Sequence, residues 1–572
     1  MKKLVYPMFL TLALFTLQNA SNQFLASPEE AYSGVSKNNA EKIFSIQTAI
    51  NAAVDGDTIY VPSGTYMENL KINKSVKLIA NGTVELTPVN PGESVIEILK
   101  DNVFLTGFTI LNARGICGIR VKRSVGYRII GNRILGGDYG LLINSSSRGL
   151  VEENDVKGCL FGIYFQESSE DTIVRNNVET SKYGIILSLC LSSTVFRNRV
   201  VNCTYGLYNH ISDRSNISRN IFQNNMMGIV VARSRADKIL LNEALDNFYG
   251  MHIDYAQGII TYGNIVMGGL IGVKIQNSQN ITITNNTACF STNNIAIESS
   301  VNITILKNTL MNAKGHGVTM YETFNSTLSM NTVSFCRVGI SVENSRSTTI
   351  VNNSLKQNSY GLFLFRSSEA KLFSNKCDNS TVADFYSEGA EKIIVKKLEI
   401  NAYGNINEIS FTYQGDVSIK GSRPIELETV RLLGGFLNIT LSSGGWIRLN
   451  LTYNLKDIQD IRKEEPVLYH WTGNGWKTVR GSLKEESSLK GSASFLLTET
   501  GIYVLGAGEK TVEQFPPVIG VLIVIILVIS SYTLLRTLKR RELKAGLFSC
   551  FFSFSQHFPY DCYQVGHSTI SH

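Results

Sequence analysis

Charged residues are scarce in this 572-residue chain, at 18% of the total against 43% hydrophobic residues. This balance excludes an intrinsically disordered protein and requires sizeable folded cores. Positive charge is also sparse in the body, because Lys2, Lys3 and the tail from Arg536 onward account for most of the net charge of +7. A body without a dense basic surface cannot neutralise a phosphate backbone, so the composition excludes nucleic acid as a partner.

Long hydrophobic runs occur at only two places, one near each end. Residues 1–26 begin with Lys2 and Lys3, continue with an apolar stretch and end in small residues, which predicts a signal peptide. Residues 515–535 carry no charge, can cross about 30 Å of hydrocarbon and are followed by basic residues. We therefore expect one transmembrane helix at 515–535 and a cytoplasmic tail at 536–572. The protein is then a single-pass cell-membrane protein with an extracellular body.

A glycine recurs every 22 residues through the middle of the chain, a position that we call the glycine slot. The slots are residues 118, 140, 162, 184, 206, 228, 250, 272, 294, 317, 339, 361 and 383. One residue is inserted before slot 317, and Asn294 and Ala383 replace glycine. Because asparagine tolerates a left-handed backbone best after glycine, Asn294 predicts that the slot requires a positive φ.

An asparagine also recurs once in each repeat. Its positions are 132, 154, 176, 198, 220, 242, 264, 286, 308, 331, 353 and 375. An amide that points inward at a bend can bond to the amides of the repeats above and below it, and so satisfy buried polar groups. We therefore predict that this asparagine forms a structural ladder rather than a glycan or metal site.

Apolar residues alternate on both sides of the asparagine. Ile119 and Val121 stand first and third after a slot, and Ile129 and Ile134 bracket Asn132. Alternation with period two predicts short strands, and no segment of the repeat has helical periodicity. Each repeat is therefore one coil of a parallel β-helix, and crossover chirality makes the helix right-handed.

Nine cysteines in a secreted chain raise the possibility of disulfides. Cys159 and Cys203 occupy the same position two coils apart, about 9.6 Å at the usual strand spacing, which is beyond disulfide reach. We expect most cysteines to be small interior residues, and no disulfide framework.

The first coils resemble a known family. Residues 43–82, IFSIQTAINAAVDGDTIYVPSGTYMENLKINKSVKLIANG, resemble the opening of pectin-lyase-like right-handed β-helix proteins. The resemblance covers roughly residues 40–400 and implies a short capping helix near Ser45 to Val54. The repeats are most similar to those of NosD-type proteins and of the carbohydrate-binding and sugar-hydrolase domains built on this helix. The resemblance is specific for the fold and weak for activity, because one solenoid carries many functions.

The 22-residue period stops near residue 400, whereas short alternating segments continue. These segments, with glycine-rich turns between them, predict a small β-sandwich at 401–508. The stretch LYHWTGNGWKTV resembles membrane-proximal β modules of archaeal surface proteins. The predicted fold class is thus all-β: a right-handed, single-stranded parallel β-helix of 22-residue coils at 40–400, a β-sandwich and one C-terminal transmembrane helix.

Polar residues at the second and fourth positions after the slot predict one exposed face. The candidate ligand-binding residues on this face are Tyr208, His210, His252, Asp254, Lys274, Gln276 and Tyr321, and the weak catalytic candidates are Asp254, Glu298, Lys274 and His252. Asp254 and Glu298 lie two coils apart, about 9.6 Å by strand spacing, at the upper edge of the separation that inverting glycosidases use. A solvated face with scattered charge is the simpler interpretation.

Other catalytic and metal sites lack partners in the sequence. Gly315-His316-Gly317 is similar to the Gly-His-Gly of polygalacturonases, but neighbouring coils have neither the paired aspartates nor the Arg-x-Lys that should accompany it. A calcium-dependent lyase needs clustered acids, which Asp254 alone does not provide. The copper role of NosD-type proteins requires imidazole or soft ligands, and the body offers no compact cluster of them. We therefore assign no cofactor, neither calcium nor copper.

These observations favour a membrane-anchored cell-surface protein that binds carbohydrate, or that serves as a surface, adhesion or envelope component. Asn-x-Ser/Thr sequons such as those at Asn202, Asn302 and Asn438 are consistent with a glycoprotein. The alternative is a polysaccharide-active enzyme, a glycoside hydrolase or a lyase, that acts on the outer face of the β-helix.

Overall fold

The computed structural model describes residues 44–111, 115–403, 405–427, 430–457, 466–485 and 489–507. The predicted signal peptide (1–26), transmembrane helix (515–535) and cytoplasmic tail (536–572) lie outside these residues. Within the described ranges, no helix combines the length and the apolarity needed to span a membrane.

A short helix covers the N-terminal end of the fold. Helix α1 (Ile46–Ala52) begins after Ser45, whose hydroxyl accepts a hydrogen bond from the Thr48 amide at 3.2 Å. Ile46 and Ile50 are fully buried against the first coils. The helix thus closes the end of the hydrophobic core, close to the predicted span.

The body is a right-handed parallel β-solenoid, as the repeat predicts. Each strand pairs in parallel with its equivalent one coil later, for example Tyr205–His210 with Met227–Ala232. One sheet, the long-strand sheet, contains a six-residue strand from each regular coil. These strands are Cys117–Lys122, Tyr139–Asn144, Phe161–Gln166, Tyr183–Ser188, Tyr205–His210, Met227–Ala232, Tyr249–Asp254, Ile271–Gln276, Asn293–Glu298, His316–Tyr321, Val338–Glu343, Tyr360–Phe365 and Ala383–Glu388.

The other sheet, the short-strand sheet, contains two three-residue strands from each coil. The pairs are Arg128–Ile130 and Arg133–Leu135, Leu150–Glu152 and Asp155–Lys157, Thr172–Val174 and Asn177–Glu179, Thr194–Phe196 and Arg199–Val201, Asn216–Ser218 and Ile221–Gln223, Lys238–Leu240 and Glu243–Leu245, Ile260–Tyr262 and Ile265–Met267, Thr282–Thr284 and Thr287–Cys289, Thr304–Leu306 and Thr309–Met311, Thr327–Ser329 and Thr332–Ser334, Thr349–Val351 and Ser354–Lys356, Lys371–Phe373 and Lys376–Asp378. The irregular first coils contain Thr58–Met67, Leu70–Ile72, Lys77–Thr87, Ser94–Ile98 and Phe104–Leu111.

The asparagine ladder is confirmed. Asn198, Asn220 and Asn242 are buried. The side-chain oxygen of Asn220 accepts hydrogen bonds from the backbone amide and the side-chain amide of Asn198, at 2.9 and 3.0 Å. The side-chain oxygen of Asn242 accepts the same two hydrogen bonds from Asn220, both at 2.9 Å. The side-chain amide of Asn220 also donates to the Val195 carbonyl at 2.9 Å. The ladder thus satisfies buried backbone groups at the bend.

The predicted reason for the glycine slot is wrong. None of the slot glycines between Gly118 and Gly361 has a positive φ. A Cβ atom on Gly228 would instead lie 2.5 Å from the carbonyl oxygen of Gly250, the slot glycine of the next coil. Where the next coil approaches this closely, the slot therefore requires glycine. Left-handed backbone occurs at the exposed corners, for example at Ile211 (φ 49) and Tyr255 (φ 49).

The repeat shifts register at two slots. Asn294 does lie in a slot, because the residue after it, Ile295, pairs with Val318, the residue after slot 317. The extra residue lies in the coil that follows Asn294. The predicted slot at Ala383 is wrong, because Leu362 pairs with Phe385 and the slot residue is therefore Asp384. A second inserted residue precedes it, and the alanine at 383 hid this insertion in the sequence.

Antiparallel strands continue both sheets after the last coil. Ala383–Glu388 pairs with Val417–Ser422, and Ile394–Ala402 pairs with Asn405–Gln414. The remaining elements are Arg431–Leu432, Phe436–Leu441, Trp446–Asn454, the 3₁₀ turn Leu455–Asp457, Pro466–Trp471, Trp476–Val479, Ser482–Glu485, Lys490–Leu497 and Gly501–Ala507. One hydrophobic core extends from the capping helix to these strands. The C-terminal strands are thus joined to the solenoid by hydrogen bonds and by a shared core.

Seven cysteines lie within the described ranges, and all seven are buried with free thiols. Cys159 and Cys203 pack into the hydrophobic core two coils apart. Burial raises the pKa of the Cys159 thiol to about 12 and that of Cys203 to about 11. These thiols therefore stay protonated at neutral pH and pack as small side chains.

The carboxyl groups of Asp171 and Asp237 are buried inside the solenoid. Asp171 accepts a hydrogen bond from the Tyr127 hydroxyl at 2.9 Å, and burial raises its pKa to about 7. Asp237 accepts hydrogen bonds from the Ser215 amide and from Nδ2 of Asn209, at 2.7 and 2.8 Å, and burial raises its pKa to about 8. Burial disfavours the charged form of both groups, so protons bind more tightly to the folded than to the unfolded chain.

This burial predicts a pH-dependent stability. Because the folded-state pKa of Asp237 lies above the unfolded value near 4, its stabilising contribution is complete below about pH 4 and is lost as pH rises through about 8. We expect the melting temperature to fall from pH 5 to about pH 9, and to fall less in Asp237→Asn. Thermal melts across this range measure the difference. Asp246→Asn, which changes an exposed carboxylate at another corner of the same coil, should leave the wild-type slope. An equal slope in both variants would contradict the assignment.

Candidate functional site

The outer face of the long-strand sheet brings the sequence-predicted residues together. Tyr208, Val230, His252 and Lys274 are register neighbours on consecutive strands, and we call this line the inner column. The outer column, two residues further along each strand, is formed by His210, Ala232, Asp254, Gln276, Glu298 and Tyr321. The two columns lie side by side with no intervening loop; Val230 is buried, Tyr321 is exposed and the other residues are partly exposed.

The charged residues of this face have partners of their own. Nζ of Lys274 lies 3.2 Å from a carboxylate oxygen of Glu298, and the Lys274 side chain is only 17% exposed. Asp254 accepts a hydrogen bond from Nδ2 of Asn277 at 3.2 Å. Gln276 lies between the two carboxylates in the outer column. The face therefore presents a fixed arrangement of donors and acceptors, in which the two carboxylates are not in direct contact.

The surroundings of the two histidines of the face favour the uncharged imidazole. Burial lowers the pKa of His252, whose ring stacks on Tyr249 with centroids 5.9 Å apart. Burial lowers the pKa of His210, and the charge of Arg233 lowers it further. The His210 ring stacks on the Tyr208 ring with centroids 5.5 Å apart. A neutral imidazole both donates and accepts a hydrogen bond, which suits recognition of hydroxyl groups.

A line of stacked aromatic rings borders the inner column, and we call it the tyrosine column. Tyr139, Phe161, Tyr183 and Tyr205 stand directly before the slots, and their rings stack with centroids 4.8 to 5.3 Å apart. Adjacent rings cover each other's faces, so ring edges point outward. These rings were not singled out in the sequence analysis, although their 22-residue spacing already aligns them.

A groove follows the outer column at the next corner of the solenoid. It has a volume of about 440 Å³ and is lined by Arg233, Arg235, Tyr255, Asn277 and Gln279, among others. Its lining contains no acidic residue. The exposed Tyr255 has a left-handed backbone, and the Arg233 guanidinium lies 5.9 Å from its ring centroid. This groove was not predicted in the sequence analysis.

The described residues form no evident metal centre. Nowhere in the described ranges do three or more His, Cys, Asp or Glu side chains gather as a possible metal site. His210 belongs to the outer column, whereas His252 belongs to the inner column two strands away. His316, the histidine of the Gly-His-Gly segment, begins a strand, and its backbone amide donates to Oδ1 of Asn293 at 2.9 Å. Among the described residues, imidazole and thiol groups are thus too dispersed, or too deeply buried, to fit a copper ion.

Comparison with known proteins gives one sequence relative and several solved structures. The chain is 36% identical over 99 residues to a cell surface glycoprotein of Methanothermus fervidus, a stretch that covers 17% of this chain and 16% of the relative. A surface adhesin of Streptococcus pneumoniae, PfbA, aligns with 56% of this chain and 87% of its own at 16% identity, with a TM-score of 0.34. The A-module of a mannuronan C-5 epimerase of Azotobacter vinelandii aligns with 56% and 92% at 16% identity, with a TM-score of 0.29.

A protein-family model matches most of the solenoid. Its two matches cover residues 50–249 and 226–395, which together are more than half of the chain. These are the residues whose 22-residue coils form the asparagine ladder and the glycine slots. The chain therefore belongs to the family described as periplasmic copper-binding protein (NosD).

Proposed function

We propose that this protein is a membrane-anchored cell-surface solenoid that binds carbohydrate along the outer face of its long-strand sheet. The observation that carries the proposal is the alignment of Tyr208, His210, Asp254 and Gln276 on three of four consecutive strands, of which the remaining one, Met227–Ala232, contributes Val230 and Ala232. Such a face offers hydroxyl, imidazole, carboxylate and amide groups along a line, the chemistry that sugar hydroxyl groups require. Because the face is open at both ends, it suits a polymer rather than a small molecule.

The surface location has two supports. The sequence relative is named a cell surface glycoprotein, and the predicted signal peptide and transmembrane helix place the body outside the cell. In this arrangement the predicted β-sandwich at 401–508 connects the solenoid to the membrane. The copper in the family's description has no role in the proposal, because the described histidines and cysteines do not form a suitable ligand set.

Glycan-array binding by the full-length protein in detergent tests the proposal. Tyr208→Ala removes a ring that contacts His210, and we expect it to weaken binding by about tenfold. Tyr262→Ala is the matched control, because Tyr262 is an exposed tyrosine on the short-strand sheet. Equal binding by wild type and Tyr208→Ala would contradict the proposed face.

The same preparation separates binding from catalysis. A binding protein should retain carbohydrate without releasing reducing ends or unsaturated sugars. Asp254 and Glu298, with Gln276 between them, are the carboxylates through which the enzyme alternative would act. Release of oligosaccharides that disappears in Asp254→Asn would replace the binding function by a glycosidase or lyase function.

A further inference from the structure

From the groove beside the outer column, we infer a specific ligand class: the protein binds a polysaccharide that carries carboxylate or sulfate groups, and Arg233 and Arg235 recognise those groups. The inference rests on the proposed function and extends the binding face by one corner. The two sites are continuous, because Arg233, Tyr255 and Asn277 directly follow Ala232, Asp254 and Gln276 in the chain. A chain that follows the outer column therefore reaches the groove without a break.

The size of the groove suits a short run of sugar units. Its volume of about 440 Å³ lies within the range of ligand clefts, about 300 to 1,000 Å³. Its lining comes from four successive coils, from Arg233 to Ser299, and is thus about 14 Å long by strand spacing. Tyr255 exposes 59% of its surface at this corner, so its ring is available to a ligand.

The electrostatics of the lining favour an anion. Three carboxylates, those of Asp213, Asp254 and Glu322, each accept a hydrogen bond from a residue that lines the groove. None of the three lines the groove itself. Asp213 also pairs with Nε of Arg235 at 3.4 Å. Within the part of the chain that the structure describes, Arg233 forms no ion pair, and its guanidinium lies over the Tyr255 ring.

An uncharged sugar would use only part of this groove. Its hydroxyl groups could bond to Asn277, Gln279 and Ser299, but the Arg233 guanidinium would gain no counter-charge. A carboxylate or sulfate group accepts two parallel hydrogen bonds from a guanidinium, which is the arrangement that arginine favours over lysine. The Tyr255 ring, with its centroid 5.9 Å from the guanidinium, lies within the range of a cation–π contact.

Polysaccharide binding by the full-length protein in detergent tests this inference, with polygalacturonate, dextran sulfate and uncharged dextran as probes. Arg233→Gln and Arg235→Gln should each weaken binding of the two acidic polymers by about tenfold and leave dextran binding unchanged. Raising the salt concentration should weaken acidic binding more in the wild type than in Arg233→Gln. Arg233→Lys should restore binding only in part, because an ammonium group cannot form the paired contact.

Arg219→Gln is the matched control. Arg219 is exposed and has a left-handed backbone (φ 55), like Arg233 (φ 54), but it lies outside the groove. The control should bind acidic polymers like the wild type. The inference is overturned if Arg219→Gln and Arg233→Gln lose equal affinity, or if dextran binds as tightly as the acidic polymers. Failure of every polymer to bind would instead overturn the proposed carbohydrate function itself.

Discussion

Replacing Asn220 with leucine should destabilise the solenoid by about 3 kcal/mol, because several buried hydrogen bonds are lost together. The backbone and side-chain amides of Asn198 both donate to Oδ1 of Asn220, at 2.9 and 3.0 Å. Nδ2 of Asn220 donates to the Val195 carbonyl and to Oδ1 of Asn242, both at 2.9 Å. Leucine has a similar volume but satisfies none of these groups.

The damage should stay local, because each coil of a solenoid contacts only its neighbours. We therefore expect a lower melting temperature and faster hydrogen exchange at the coils that contain Asn198 and Asn242. Gln223→Leu is the control, because Gln223 lies outward and half-exposed on the adjacent strand of the same coil. An unchanged melting temperature in Asn220→Leu, or an equal shift in the control, would show that the ladder adds little to stability. Carbohydrate binding at the distant outer face should be retained by protein that is still folded.

The coil architecture could be predicted from the sequence because every coil repeats the same pattern of residues. The 22-residue period sets the register, and the buried bend needs an amide at one position in every coil, which made the Asn198 to Asn242 ladder predictable. Alternation with period two likewise placed Tyr208 and Asp254 on the outer side of one sheet. Neither inference required knowledge of which atoms touch.

The cause of the glycine slot could not be predicted in the same way. Two different constraints select glycine: a positive φ, and a neighbouring backbone too close for a Cβ atom. The asparagine at slot 294 favoured the first explanation, yet no slot glycine has a positive φ. The coil that follows Asn294 contains an inserted residue. A contact between coils is not visible in the sequence of either coil alone.

The groove was missed for a related reason. Arg233 and Tyr255 stand at a corner where the backbone is left-handed, so the direction of their side chains does not follow the alternation of the strands. The sequence places them one coil apart at the same repeat position but gives no reason to connect them with Arg235. Their association depends on the backbone geometry of the corner.

Replacing Gly228 with alanine should destabilise the protein by about 3 kcal/mol, the upper part of the range for overpacked cores. The new Cβ atom would lie 2.5 Å from the Gly250 carbonyl oxygen and 3.0 Å from Nδ2 of Asn247. The carbonyl oxygen belongs to a hydrogen-bonded backbone and cannot move without disturbing the next coil. Asn247 cannot move freely either, because its Oδ1 accepts a hydrogen bond from the Asn225 amide at 2.9 Å. Thermal melts and hydrogen exchange around this coil measure the effect.

A second substitution at the same slot separates the two explanations for the glycine. If close approach is the cause, Gly228→Asn should be at least as destabilising as Gly228→Ala, because asparagine adds more atoms at the same contact. If a left-handed backbone were the cause, asparagine should be the better tolerated of the two. Gly475→Ala is the control, because a Cβ atom there meets nothing within 4 Å, and its melting temperature should match the wild type. A Gly228→Asn variant more stable than Gly228→Ala would therefore restore the explanation that the sequence first suggested.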